Sequence, residues 1–273
     1  MIPITFRTKT VMRQALAAVV SAAGLGALLA GGSVQGATLI HRYSFDVDVT
    51  DTISFADGSL AGNAIVENGA VVLDGNGSYV NLPNDLLMAY PSVTIEAWYT
   101  DLGSGNWARI WDFGNSDVGE DSAGTGTSYA FLGLPNGGLN GAYKLADQAE
   151  QTVSLGARPA TGVMHHVVWT SDADAQEAVI YIDGLKARSL SGFTATPVAL
   201  GSTANDWLGR SQFSGDAYLH GSISEFRIYE NALTPLEVAL NAAAGPDLAS
   251  VEPGNLLSII LQAPETLLLK VTA

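Results

Sequence analysis

From residue 37 onward, short apolar stretches recur between breaks rich in glycine, asparagine and aspartate, a rhythm of brief strands and frequent turns. His41 to Phe45 predicts an aromatic strand, followed by an acidic loop through Asp57. Val71 to Leu73 and Tyr79 to Leu82 flank Asp74-Gly75-Asn76-Gly77, which predicts a hairpin closed by an Asp-Gly or Asn-Gly turn. In Val93 to Tyr99 the residues Val93, Ile95, Ala97 and Tyr99 share one face, because strand side chains alternate. Trp107 to Phe113 and Tyr129 to Leu134 are two more apolar runs. His165 to Thr170 and Ala178 to Ile182 follow, the second leading straight into Asp183-Gly184, a strong hairpin signal. Trp207 to Gly209 and Ile223 to Tyr229 complete the set. In the last, Ile223 and the pair Phe226 and Ile228 do not fit one alternation, which predicts a bulge near Ser224 and Glu225.

One helix is expected. Thr234-Pro235-Leu236-Glu237 places a capping hydroxyl, a proline at the first helical position and a glutamate at the third. Leu236, Leu240 and Ala243 then space helically, and Gly245-Pro246 stops the run. Many strands, one late helix and no alternation of strand with helix predict an all-β, two-sheet antiparallel sandwich.

Composition agrees with a packed domain. The 273 residues are 47% hydrophobic and only 14% charged, too apolar for a disordered chain. Without cysteine, neither disulfides nor thiolate metal sites contribute, and the core alone must hold the fold. The net charge of −15 argues against nucleic-acid partners and anionic lipid, since phosphates would be repelled. Clustered carboxylates would attract calcium instead.

The N-terminus has the pattern of a secretory signal over residues 1–36. Arg7, Lys9 and Arg13 precede a small-apolar run from Ala15 to Ala30, and Val34 and Gly36 occupy favoured cleavage positions. The run is short of the ~20 apolar residues a membrane-spanning helix needs. Its removal takes the net charge from −15 to −18, because the segment holds three basic residues and no acidic one. A secreted or cell-surface location, of bacterial type, is therefore expected. The sandwich is assigned to residues 37–245, and residues 246–273 read as a linker and the possible start of a truncated second β-domain.

Eight phrases carry a family resemblance: HRYSFD (41–46), VVLDGNGSYVNLP (71–83), VTIEAWY (93–99), WARIWDFG (107–114), HHVVWT (165–170), AVIYIDG (178–184), WLGRS (207–211) and GSISEFRIYENALTPLEV (221–238). In this order and spacing the chain resembles the laminin-G-like domains of large secreted bacterial proteins, within the concanavalin A-like lectin/glucanase superfamily. The resemblance spans roughly residues 38–244. It implies a two-sheet jelly roll, often a structural calcium near one edge, and binding of carbohydrate or protein. In these domains an acidic residue usually follows the Ile of the terminal G-x-I phrase; here that position is Ser224, with Glu225 next.

The candidate metal ligands are Asp46, Asp48, Asp51 and Glu225, with Asp57 nearby; Asp46 leads because a strand directly precedes it. Against them stands a plain solvated acidic loop. Trp107, Trp111, Tyr129 and Trp207 are candidate platforms for sugar rings, whose apolar faces suit aromatic stacking. Against these stands core packing, to which the mid-strand Trp98 and Trp169 are assigned. His165 and His166 cannot close on one ion, because neighbouring strand residues point to opposite faces. The pattern lacks the paired carboxylates of a glycosidase strand: Glu96 stands alone, and Glu225 has only Ser224 and Phe226 beside it. No serine occupies a G-x-S-x-G elbow. A noncatalytic module for a glycan or extracellular protein is expected, with an architectural spacer as the second reading and a divergent polysaccharide hydrolase or lyase as the third.

Overall fold

A computed structural model describes residues 36–248. Residues 1–35 of the expected secretory segment and residues 249–273 of the expected linker and second β-domain lie outside the described residues. In chain order the strands are β1 (Thr38–Tyr43), β2 (Ser59–Ala61), β3 (Ile65–Glu67), β4 (Ala70–Asp74), β5 (Tyr79–Leu82), β6 (Val93–Asp101), β7 (Ala108–Ser116), β8 (Gly126–Leu134), β9 (Leu139–Lys144) and β10 (Gln151–Leu155). They continue with β11 (Met164–Asp172), β12 (Glu177–Ile182), β13 (Leu185–Ser191), the short helix α1 (Pro197–Leu200), β14 (Asn205–Leu208), β15 (His220–Glu230) and helix α2 (Pro235–Ala244).

Two antiparallel sheets pack face to face as a jelly-roll sandwich. Sheet A runs β13-β12-β11-β6-β15-β4-β3, with β1 also paired to β15. Sheet B runs β10-β9-β8-β7-β14-β5-β2. Alternation decides which side chains meet. Ile95, Ala97, Tyr99, Trp169, Phe226 and Ile228 of sheet A face Trp111, Phe113, Leu132, Tyr143 and Leu208 of sheet B in one continuous core. β15 pairs β4 through its first residues and β1 through its last, on the same edge; its register slips between Ile223 and Glu225, at the expected bulge. The two-residue hairpin at Asp183-Gly184 forms with φ of 50° and 82°, the left-handed pair that a tight primed turn needs.

The hairpin expected across Asp74 to Gly77 does not form. β4 pairs with β15 and β3 in sheet A, whereas β5 pairs with β14 and β2 in sheet B. The turn chemistry is real: Asp74 accepts from Asn76 N and Ser78 Oγ, and Gly75 and Gly77 have positive φ. It closes an arch between sheets, because each strand finds its partner elsewhere in the chain. Helix α2 forms with its capping box, Thr234 accepting from Glu237 N while Glu237 reaches back to Thr234 N.

Helix α2 covers the outer face of sheet A, where Val168, Tyr181, Tyr229 and Leu233 pack against Val238. Beneath it lies a buried polar network. Glu96 accepts from Tyr229 Oη at 2.8 Å, from Asn241 Nδ2 at 3.1 Å and from Arg227 Nη1 at 3.4 Å, with His166 Nε2 at 2.7 Å. Arg227 also lies over the Trp98 ring and donates to the carbonyls of Pro246 and Leu248. His165 points the other way, to Asp183.

Candidate functional site

The outer face of sheet B carries a cleft of about 270 Å³ lined by Trp107, Arg109, Tyr129, Phe131, Glu150, Phe213 and Asp216. Two neighbouring strands, β7 and β8, and the three connections before β7, before β10 and after β14 build it. On β8, Tyr129 and Phe131 are two residues apart and therefore share the outward face, their ring centroids 5.8 Å apart. Trp107, immediately before β7, has a φ of 61°, a left-handed conformation uncommon for a bulky residue. Its ring stands edge-on to Phe131 at 6.3 Å. Phe213, from the loop after β14, closes the far side against Tyr129 at 5.4 Å, nearly perpendicular. These rings sit where two glycines clear space: a Cβ on Gly126 would meet Phe213 Cε2 at 2.7 Å, and one on Gly133 would meet Arg109 Cδ at 2.9 Å.

Arg109 forms the floor. Its guanidinium lies 4.0 Å over the Phe131 ring and 5.5 Å from that of Trp107. Nε donates to Asp112 Oδ2 at 3.0 Å and Nη1 to the Trp107 carbonyl at 2.6 Å, while Nη2 forms an ion pair with Asp216 Oδ2 at 3.0 Å. That triple anchorage fixes the stacked geometry. Ser211 Oγ in turn donates to Asp216, and Gln212 N to Asp112, tying the loop to the sheet. Burial pushes the Asp112 carboxyl up to about 6 despite Arg109 beside it. At the rim, Tyr129 Oη donates to Glu150 Oε2 at 2.8 Å, and Thr152 Oγ1 to Oε1 at 2.7 Å. Burial and that carboxylate push the Tyr129 phenol up, so it remains a donor at neutral pH. The cleft thus combines the part-exposed rings of Trp107 and Phe213, backed by the buried Tyr129 and Phe131, with carboxylate acceptors held at fixed positions.

Of the four aromatic candidates, Trp107 and Tyr129 come together here. Trp111 does not. The β7 register slips between Arg109 and Trp111, so Ile110 and Trp111 both turn into the core, where Trp111 is fully buried. Trp207 faces outward from β14, but Arg210 lies 4.0 Å over its ring, and Tyr79 packs edge-on at 5.8 Å; no open face remains. Arg109, Phe131, Glu150, Phe213 and Asp216 were not anticipated. Phe131 was readable from its two-residue spacing to Tyr129. Phe213 and Asp216 sit in a loop whose return across the sheet has no local signal.

The acidic candidates are not assembled. Both oxygens of Asp51 are taken, Oδ1 by the N–H groups of Arg42 and Ile53, and Oδ2 by Ser54 Oγ and His41 Nδ1. Glu225 is buried between Arg42 and Arg227, each with Nε 2.6 Å from Oε1. Asp48 accepts from Thr50 N and Asp57 from Asp51 N, while Asp46 is exposed. Among the described residues no group of three or more histidines and carboxylates is arranged to hold a metal. Calcium needs six to eight oxygens, so this donor set does not fit it. The expected grouping does not form, because Asp51 and Glu225 serve internal partners; the exposed Asp46 is the exception.

A family model described as the concanavalin A-like lectin/glucanases superfamily matches residues 74–239. No curated protein matches the sequence. Among solved structures, domain 4 of an extracellular arabinanase from Geobacillus stearothermophilus, in complex with arabinotriose, is 22% identical, with 75% of this chain and 98% of that chain covered at a TM-score of 0.58. A carbohydrate-binding module of a sialidase from Ruminococcus gnavus is 18% identical, covering 62% and 94% at 0.51. The binding domain of botulinum neurotoxin serotype D is 15% identical, covering 76% of this chain and 52% of that one at 0.57. At these identities the likeness establishes the shared jelly-roll fold. No helix among the described residues is long and apolar enough to cross a membrane.

Proposed function

We propose, for a chain that belongs to the concanavalin A-like lectin/glucanase superfamily, a noncatalytic glycan-binding role exercised outside a bacterial cell, with the sheet B cleft as the binding site. One observation carries this reading: Trp107, Tyr129, Phe131 and Phe213 surround a cleft whose rim holds Glu150 and Asp216. Sugar rings offer apolar C–H faces to aromatic side chains and hydroxyl donors to carboxylates, so the two features together suit a saccharide. Similarity of fold to an arabinotriose complex and to a sialidase carbohydrate-binding module supports the class of ligand. The secretory pattern of residues 1–36 supports export. The isolated Glu96, wholly buried beneath α2, supports a noncatalytic reading, since no substrate can reach it.

The test is binding of an oligosaccharide panel to the protein and to Trp107→Ala. Binding that Trp107→Ala weakens by roughly tenfold or more, with an unchanged melting temperature, is the expected result; stacking on one ring is worth about 1–3 kcal/mol in comparable nucleobase platforms. Binding unaffected by Trp107→Ala and by Tyr129→Ala would place the site elsewhere.

A further inference from the structure

We infer that the cleft selects neutral or amino-bearing glycans and turns away uronate, sialylated and sulfated ones, with Glu150 and Asp216 setting that selectivity; this rests on the glycan-binding reading above. Arg109 is the cation among the residues that line the cleft. Its charge is already matched by Asp112 and Asp216, both in contact with it. Recognition of a carboxylate by arginine is strongest when two parallel N–H groups are presented as a fork. Here Nη1 donates to the Trp107 carbonyl, Nη2 is ion-paired with Asp216, and the side chain is only 2% exposed. Lys144, on the strand next to Tyr129, is held by the carbonyls of Leu145 and Ala146 at 2.7 and 2.8 Å. No lining cation is left for an anion.

The negative groups are the accessible ones. Glu150 is exposed at the rim, and its two oxygens accept one hydrogen bond each from Tyr129 and Thr152. A carboxylate has about four acceptor positions, so both oxygens retain capacity for a ligand's hydroxyl or ammonium donors. An incoming carboxylate or sulfate supplies acceptors only, against acceptors, beside two like charges. The chain's net charge of −15 adds a long-range field of the same sign.

The experiment is an array of neutral, amino, uronate, sialylated and sulfated oligosaccharides, read with the wild type, Glu150→Gln and Asp216→Asn. Glu150→Gln keeps an amide oxygen for the Tyr129 hydroxyl, so it removes charge without emptying the site. Neutral or amino glycans are expected as the hits, with the acidic counterpart of each hit weaker by about tenfold (about 1.4 kcal/mol) at low salt. Glu150→Gln should narrow that gap to about threefold, as should 1 M NaCl, where screening acts within about 3 Å. Acidic glycans binding the wild type as well as their neutral counterparts, or a gap that neither substitution moves, would overturn the inference and leave the glycan site standing. Absence of binding by every glycan would overturn both.

Discussion

Replacing Glu96 with Gln isolates the charge in the network under α2. Glu96 has no solvent exposure and four side-chain partners: His166, Arg227, Tyr229 and Asn241. Glutamine keeps the shape and one acceptor oxygen. It removes the charge, however, and sets an amide donor against groups that now donate. Arg227, itself wholly buried, would keep its two backbone carbonyls but only Glu225 as a paired carboxylate, and Glu225 already serves Arg42. Breaking one partner of a buried ion pair costs about 3–5 kcal/mol, because the other charge stays desolvated. At about 2–4 °C per kcal/mol for a domain of 150–250 residues, the melting temperature should fall by roughly 6–20 °C. Glu177→Gln is the matched control: its 2.9 Å bridge to Lys186 joins side chains that are 32% and 46% exposed. That surface pair is worth about 0–1 kcal/mol.

The same network makes a pH prediction. Burial alone would raise the Glu96 carboxyl, but the His166 hydrogen bond, with Arg227 and Tyr229, outweighs it and holds the group below its ordinary value. Its charge therefore stabilises the fold at pH values above the unfolded glutamate's, about 4.3, and that stability is lost as acid titrates through the lower folded value. Urea melts of wild type and both variants at pH 7 and pH 3.5 measure the two effects. A Glu96→Gln loss within about 1 kcal/mol of the Glu177→Gln loss at pH 7 would refute the account of the network. Binding or turnover abolished by Glu96→Gln in a protein that remains fully folded would instead reveal a chemical role for the residue.

Trp111→Ala should cost about 3–5 kcal/mol as a core truncation, whereas Trp107→Ala should act on binding with little effect on stability; the reverse pattern in denaturant melts would show that the two side chains have been placed on the wrong faces. Millimolar calcium should leave the melting temperature unchanged, because Asp51 and Glu225 are committed to internal partners; a ligand bound only by the folded state would raise it, and a rise of several degrees would expose a cation site that this loop does not provide. Asp112 works in the opposite sense to Glu96: its folded value, pushed up to about 6, lies above the unfolded one, so its contribution to stability falls as pH rises from about 4 to 6. The stability of Asp112→Asn relative to wild type should accordingly move in the variant's favour by on the order of 2 kcal/mol between pH 4 and pH 7, and a flat difference would contradict that desolvation dominates there.

The cleft was only half legible beforehand. Trp107 and Tyr129 are two of the four aromatic residues that the sequence offers as sugar platforms, and strand alternation could have added Phe131. Nothing local announced Phe213 or Asp216, because a loop's landing place depends on which strands lie beside each other. The acidic loop misled for a related reason. Carboxylates close in sequence suggest a shared cation, yet Glu225 arrives on a strand far along the chain, bringing Arg227 with it, and Asp51 turns inward to His41.

What the residues determined alone was local and periodic: the two-residue alternation of β6, the Asp183-Gly184 turn, the Ser224 bulge and the capping box of α2. These depend on backbone sterics and near-neighbour hydrogen bonds, which a short window contains. Pairing across the chain was decided only in three dimensions. It made Asp74 to Gly77 an arch instead of a hairpin. A slipped register beside Arg109 buried Trp111, while Arg109 itself stayed outward as the floor of the cleft. One residue of slip reverses every side chain beyond it, and partner strands set that slip through the free energy of the shared core.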